Sequence, residues 1–236
     1  KYGIQFFCEH IDIPSLSKSK GISEELCARD ERYRLFEKYC KDHDIPCVAV
    51  AHNSCDNTET VLFNLLRGSG TKGLCGIPPK RSLCAGVDVI RPLIYAERCE
   101  IEKFLSELGQ DYVTDSTNLE SEYSRNYIRN EIIPLMKELN GSITQTTVRT
   151  AEVLRSENQL IDEAVHSAYE KCFKDGIFIG LGEYNQVIRR RCIAKYLSDN
   201  SLPFSNKRLT DCDNILINGG KINISGNTYP ATSGST

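Results

Sequence analysis

Apolar residues in the first 135 positions follow two rhythms. Short runs at residues 4–8, 48–51 and 87–91 have the density of buried strands, whereas 23–43, 56–67 and 97–108 repeat apolar positions at helical spacing. This alternation of strand and helix predicts a parallel sheet with helices packed on it. Within 23–43, Leu26, Tyr33, Phe36 and Tyr39 are expected to face the core; within 56–67, Val61, Leu62, Leu65 and Leu66 carry the spacing up to a stop at Gly68. The rhythm ends at Gly141. Beyond it, 143–173, 186–198 and 205–217 read as amphipathic helices, so a small helical domain is expected to follow the α/β one. The expected boundaries are 1–138 for the α/β domain, 139–225 for the helical domain and 226–236 for a turn-rich tail.

The junction at 51–60 holds the first candidate chemistry. His52 follows the apolar run 46–51, and Asp56 and Glu59 come three residues apart on the helix that begins there. In an open α/β sheet, ligands settle at the carboxyl ends of strands, beside helix N-termini that favour anions. Two readings stay open at this point. These residues could line a catalytic mouth, or Asp56 and Glu59 could serve as a capping box and first-turn acids beside a strand-end histidine.

Arginines supply the second. Arg125 and Arg129 lie four apart on a helix entered from the polar stretch Asp115-Ser116-Thr117-Asn118, and point the same way; Arg29, Arg32 and Arg34 repeat the theme earlier. A planar guanidinium fork that stays charged suits polyphosphate, and a solvated helix face is the alternative. Gly68 to Gly73 satisfies G-x-G-x-x-G, yet these glycines follow a helix rather than a strand. They read as a flexible turn able to approach a substrate, with Arg67 beside it, and not as a dinucleotide fingerprint.

In order along the chain come Ala51-His52-x-x-x-Asp56-x-x-Glu59-Thr60, Arg67-Gly68-Ser69-Gly70, Gly73-Leu74, Arg91-Pro92-Leu93, Asp115-x-Thr117-Asn118 and Arg125-Asn126-x-x-Arg129. This series resembles the tRNA(Ile)-lysidine synthetase family of the PP-loop ATPase superfamily, over about residues 4–135 and more weakly to about 225. The resemblance implies an α/β fold with a parallel sheet of the PP-loop, adenine nucleotide α-hydrolase-like type, followed by a small helical domain. It implies an ATP- and Mg²⁺-dependent ligase that joins L-lysine to the anticodon wobble cytidine of an isoleucine tRNA through an adenylated base. The catalytic residues it implies are His52, Asp56, Arg32 and Arg129, with Arg32 and Arg129 on phosphate or adenylate. Glu59 and Asp56 would receive the lysine ammonium, and Arg67, Gly68, Gly70, Arg125 and Asn126 would complete the substrate site. A carboxylate or His52 would take the proton from the amine. Asn53 and Cys55 depart from the family pattern and are given no role.

The family's Ser-Gly-Gly-x-Asp-Ser phosphate loop does not occur in these 236 residues. The expectation is a fold that is N-terminally incomplete, entered within its third strand at 4–8 and inactive by itself in this reaction. Two alternatives stay open: another PP-loop tRNA-modifying or amide-forming ATP pyrophosphatase, and a non-catalytic tRNA-binding remnant.

Composition changes the picture little. Eleven cysteines at irregular spacings, with no Cys-x-x-Cys pair, support neither a zinc ribbon nor a disulfide framework and are expected to be reduced, mostly buried apolar residues of a cytoplasmic protein. No apolar run approaches membrane length, so no membrane partner is expected. A homodimer is kept as an option. The net charge of −3 does not point to nucleic acid, but Arg189-Arg190-Arg191 with Lys195, and Lys207-Arg208, form a basic region able either to track phosphates or to serve a solvated face and local ion pairs.

Overall fold

The structure is a computed structural model that describes residues 3–113, 123–202 and 205–218. It divides into two units, Lys1–Glu152 and Val153–Thr236, with the boundary inside one long helix. The stretch Asp115 to Asn118 and the expected tail at 226–236 lie outside the described residues.

In the first unit the elements run α1 (Ile13–Lys20), α2 (Glu24–Asp42), β1 (Cys47–Ala49), α3 (Ser54–Leu66), α4 (Thr71–Leu74), β2 (Lys80–Cys84), β3 (Val87–Ile90) and α5 (Arg98–Glu107). There follow α6 (Tyr123–Tyr127), a π-helical turn (Ile128–Ile132), α7 (Ile133–Leu139) and the start of α8 (Ile143–Cys172). The strands form one sheet of order β1-β3-β2. Its β1–β3 pair is parallel, as expected, but β2 runs antiparallel to β3, so the sheet is mixed. The hairpin follows from Gly86, whose φ of 77° allows the tight reversal between β2 and β3. Only the central strand is well covered, with Val87 and Val89 buried, while Cys47 and Ala49 of β1 are exposed.

The expected strand at 4–8 is not formed. Residues 4–8 have no regular structure; Phe7 packs its ring on Tyr39 and His43 of α2, at 4.7 and 4.8 Å, and Glu9 accepts a hydrogen bond from the Tyr39 hydroxyl. Aromatic contact with a helix thus takes the place of strand pairing. On α2 itself the buried residues are Cys27, Glu31 and Cys40, and Leu26 is exposed. Glu31 is held in place by Lys20 of α1 at 2.9 Å and by Arg34 at 2.6 Å.

Two local features place the residues of interest. The first is the start of α3, where Asn53 Oδ1 accepts from the Cys55 and Asp56 amides and Asp56 Oδ2 accepts from the Asn53 amide at 2.9 Å. Ser54 fastens that end to the chain after β3, its amide and hydroxyl both donating to the Ala96 carbonyl. The second is the π turn. Pro134 has no N–H to offer the carbonyl four residues back, and the Ile133 amide instead bonds to Ile128, five residues back.

The second unit holds the rest of α8, a short β4–β5 hairpin (Phe173–Lys174, Ile177–Phe178), a 3₁₀ turn at Leu181–Glu183, α9 (Gln186–Asp199) and α10 (Asn206–Asn218). Its core gathers Val165, Ala168, Cys172, Phe178, Leu181 and Cys192. The arginine triplet is used internally. Arg189 grips the buried Asp213 through Nε at 2.6 Å and Nη2 at 3.3 Å, Arg190 reaches the same carboxylate, and Arg191 binds Asp162 and Asn158. All eleven cysteines are unpaired thiols, and burial pushes that of Cys192 up to about 11. No helix among the described residues is long and apolar enough to cross a membrane.

Two stability outcomes follow. Gly76 has φ +62°, and a Cβ there would stand 2.2 Å from Asn57 Oδ1, the acceptor for the Ile77 amide. Gly76→Ala should therefore lower stability by more than about 1 kcal/mol in denaturant titration. Asp213→Ala should lower it by about 3–5 kcal/mol, because Arg189 would be left buried and uncompensated. A loss below about 1 kcal/mol would show that solvent reaches the guanidinium.

Candidate active site

Parallel pairing of β1 with β3, in the register Ala49 to Ile90, brings the carboxyl ends of both strands to one edge. His52 follows the first and Arg91 the second, and α3 starts between them. Against this edge the first unit forms a cavity of about 640 Å³. Its lining includes His52, Asp56 and Glu59 from the β1–α3 junction, Arg29, Arg32, Tyr33 and Phe36 from α2, Arg91, and Arg125, Asn126 and Arg129 from the last helical run. The α2 contributors fall at i, i+3, i+4 and i+7, which is one helical face.

The acidic side of the cavity is organised by one bidentate contact. Arg129 Nε donates to Glu59 Oε1 at 2.6 Å and Nη2 to Oε2 at 2.9 Å, while Asp56 Oδ1 lies 3.6 Å from the same guanidinium. Asp56 thus both caps α3 and faces the cavity, so the two readings of that carboxylate hold together. Glu59 is not a capping residue. It is buried on α3, and burial pushes its carboxyl above the ordinary value, while the hydrogen bond and charge of Arg129 pull it back down.

Among the described residues the lining carries five arginines against two carboxylates, so the cavity as a whole is cationic. Burial holds His52 below the ordinary imidazole value; Asp56 opposes that shift, and Arg91, Arg29 and Arg32 reinforce it. Its Nδ1 is buried and makes no hydrogen bond. A neutral imidazole of this kind is equipped to accept a proton. The Tyr33 ring, also in the lining, carries the Arg81 guanidinium at 4.7 Å and that of Arg29 at 5.7 Å.

Of the residues singled out in the sequence, Arg32, His52, Asp56, Glu59, Arg125, Asn126 and Arg129 are brought together. Arg67, Gly68 and Gly70 are not among the lining residues. They sit at the far end of α3, roughly 16 Å along the axis from Asp56, where the Arg67 guanidinium stacks 4.0 Å from the centre of the Phe63 ring and Gly68, with φ 71°, ends the helix. Arg125 approaches the same ring at 5.2 Å and Glu25 at 3.6 Å. Arg91, Tyr33 and Phe36 were assigned no part in the site from sequence. Arg91 could have been found, since it directly follows a strand run; Tyr33 and Phe36 look like ordinary core positions.

The PP-loop domain family matches residues 1–136, more than half of the chain. The chain belongs to the PP-loop family. A PP-loop domain is an ATP-using α/β domain, which agrees with the cationic cavity at the strand ends. The chain is 42% identical over 168 residues to the tRNA(Ile)-lysidine synthase of Bacteroides thetaiotaomicron, an alignment covering 70% of the chain and 38% of that protein. It is 38% identical over 181 residues to the synthase of Porphyromonas gingivalis (73% and 37% covered), and 34% identical over 219 residues to that of Clostridium perfringens (90% and 46%). The chain spans less than half the length of each of these relatives.

The charges around His52 in this PP-loop domain make a titration outcome specific. Followed by NMR, its imidazole should titrate below the ordinary value of about 6.5. Asp56→Asn removes the neighbour that favours the cation and should lower the midpoint further, whereas Arg32→Gln should raise it. A midpoint above 6.5 would contradict the neutral assignment.

Proposed function

We propose that this chain supplies the phosphate- and amine-handling site of an ATP-dependent ligase that joins L-lysine to the anticodon wobble cytidine of isoleucine tRNA, forming lysidine. The observation that carries the reading is the meeting of five guanidiniums, two carboxylates and a neutral imidazole in one cavity. Developing negative charge on phosphate calls for the first set, an ammonium substrate for the second, and an amine that must lose a proton before attack for the third. The activity that names the relatives supports lysine and tRNA as the substrates, and the PP-loop domain supports ATP.

On this reading the cytidine carbonyl oxygen attacks the α-phosphate of ATP, the bond to the departing pyrophosphate breaks, and the base is left adenylated. The lysine ε-amine then displaces AMP. Arg32, Arg125 and Arg129 hold phosphate oxygens, Glu59 and Asp56 hold the ammonium, and His52 accepts the proton the amine must shed. Mg²⁺ bound with ATP would neutralise charge on its phosphates. The parallel β1–β3 pair then belongs to the parallel sheet of the PP-loop type, with the second unit as its helical connecting domain, acting on tRNA in the cytoplasm.

The test is a chimera in which this chain replaces the aligned segment of the Bacteroides thetaiotaomicron relative. It should incorporate labelled lysine into isoleucine tRNA. Within it, Glu59→Gln should raise KM for lysine by roughly ten- to hundredfold, the loss of a charge-assisted partner. A folded chimera that releases pyrophosphate but attaches no lysine would overturn the substrate assignment.

A further inference from the structure

The Glu59–Arg129 contact raises a chemical conflict inside the site. Both carboxylate oxygens of Glu59 are taken by the guanidinium, at 2.6 and 2.9 Å, and the Glu59 side chain is 6% exposed. A second cation therefore cannot reach Glu59 without competing with Arg129. The two partners are unequally held. Glu59 is fixed on the buried face of α3, whereas Arg129 is 39% exposed and projects from the π-helical turn, a geometry that recurs where helices carry function. Arg125, one turn earlier, lines the same cavity, so an anion entering there meets two guanidiniums from one helical run.

We propose that Arg129 occupies the seat on Glu59 that a primary ammonium takes over when a phosphate group draws the guanidinium away, so that polyphosphate and amine bind synergistically. The inference rests on the reading of Glu59 as the amine-binding carboxylate. Arg129 is in this sense an internal stand-in for the substrate, a cation that donates two hydrogen bonds to a buried acid. The exchange leaves no charge unpaired: one guanidinium–carboxylate pair becomes two, guanidinium–phosphate and ammonium–carboxylate. Neither ligand alone completes it. An amine alone must displace a bidentate partner, and an anion alone strips a buried carboxylate of its compensating charge, which is costly. Each ligand therefore removes the cost that opposes the other, and the coupling is reciprocal. Arg129 thus both receives the phosphate and delays amine entry until phosphate is present.

The experiment titrates the 236-residue chain with L-lysine by calorimetry, with and without saturating tripolyphosphate, using L-norleucine as the control that keeps the α-ammonium and lacks the side-chain ammonium. Lysine should bind roughly five- to 150-fold more tightly in the presence of the anion, the usual span of such couplings, and norleucine should show no such gain. Arg129→Gln should bind lysine more tightly than the parent without anion and lose the gain with it. Arg129→Lys keeps a cation on Glu59 without the fork and should retain a smaller gain, which tests the exchange should the Gln variant fail to fold. Lysine affinity that depends on Glu59 but is indifferent to tripolyphosphate would overturn the exchange and leave the amine seat standing. No lysine binding under either condition, or binding unaffected by Glu59→Gln, would overturn both.

Discussion

A carboxylate on the buried face of a helix is tolerated only where its charge is met, and Arg129 meets that of Glu59. The contact spans 70 positions of sequence and binds the π-helical turn against α3. Around it the rest of the site falls into place: Asp56 faces the same guanidinium, Arg125 follows one turn away, and His52 sits at the entrance to α3. The cavity thus holds two acids paired with Arg129 together with Arg29, Arg32 and Arg91.

The rigidity behind this comes from polar rather than apolar packing. On α3 the buried residues are Ser54, Asn57, Thr58 and Glu59, while Leu65 and Leu66 are exposed. Each buried group has a defined partner. Ser54 donates to Ala96, Asn57 accepts from Ile77, Thr58 donates back to Ser54, and Glu59 accepts from Arg129. Satisfied hydrogen bonds specify one position for a helix more narrowly than oily contacts do, because a shift leaves buried polar groups unpaired. That suits the first turn of α3, which must present Asp56 and His52 in fixed relation to the strand ends.

The second unit shows the same chemistry directed to another purpose. Three successive arginines leave α9 in different directions, and among them they bind Asp213, Thr210, Asp162 and Asn158 within that unit. Burial would raise the carboxyl of Asp213, yet the hydrogen bond and charge of Arg189 hold it below the ordinary value. A run of positive charge in sequence here fastens helices to one another, a role that local charge density cannot distinguish from contact with phosphate.

Ordered motifs and periodicity by themselves determined the helices α2, α3, α5, α8, α9 and α10, the strands β1 and β3, and the meeting of His52, Asp56 and Arg129 in one crevice, but not the place of Arg67, Gly68 and Gly70, which lie outside it. These were legible because helical and strand spacing are local, and because ligands of an α/β sheet gather at strand carboxyl ends. What only the tertiary structure decided was pairing and facing. Residues 4–8 carry a strand-like apolar run but pack on α2, β2 pairs antiparallel, and Leu65 and Leu66 of α3 are exposed while its polar side is buried. That Glu59 and Arg129 hold each other could not be read along the chain. Spacing reports which residues share a face, whereas the choice of partner depends on which faces meet and how far each charge is removed from water.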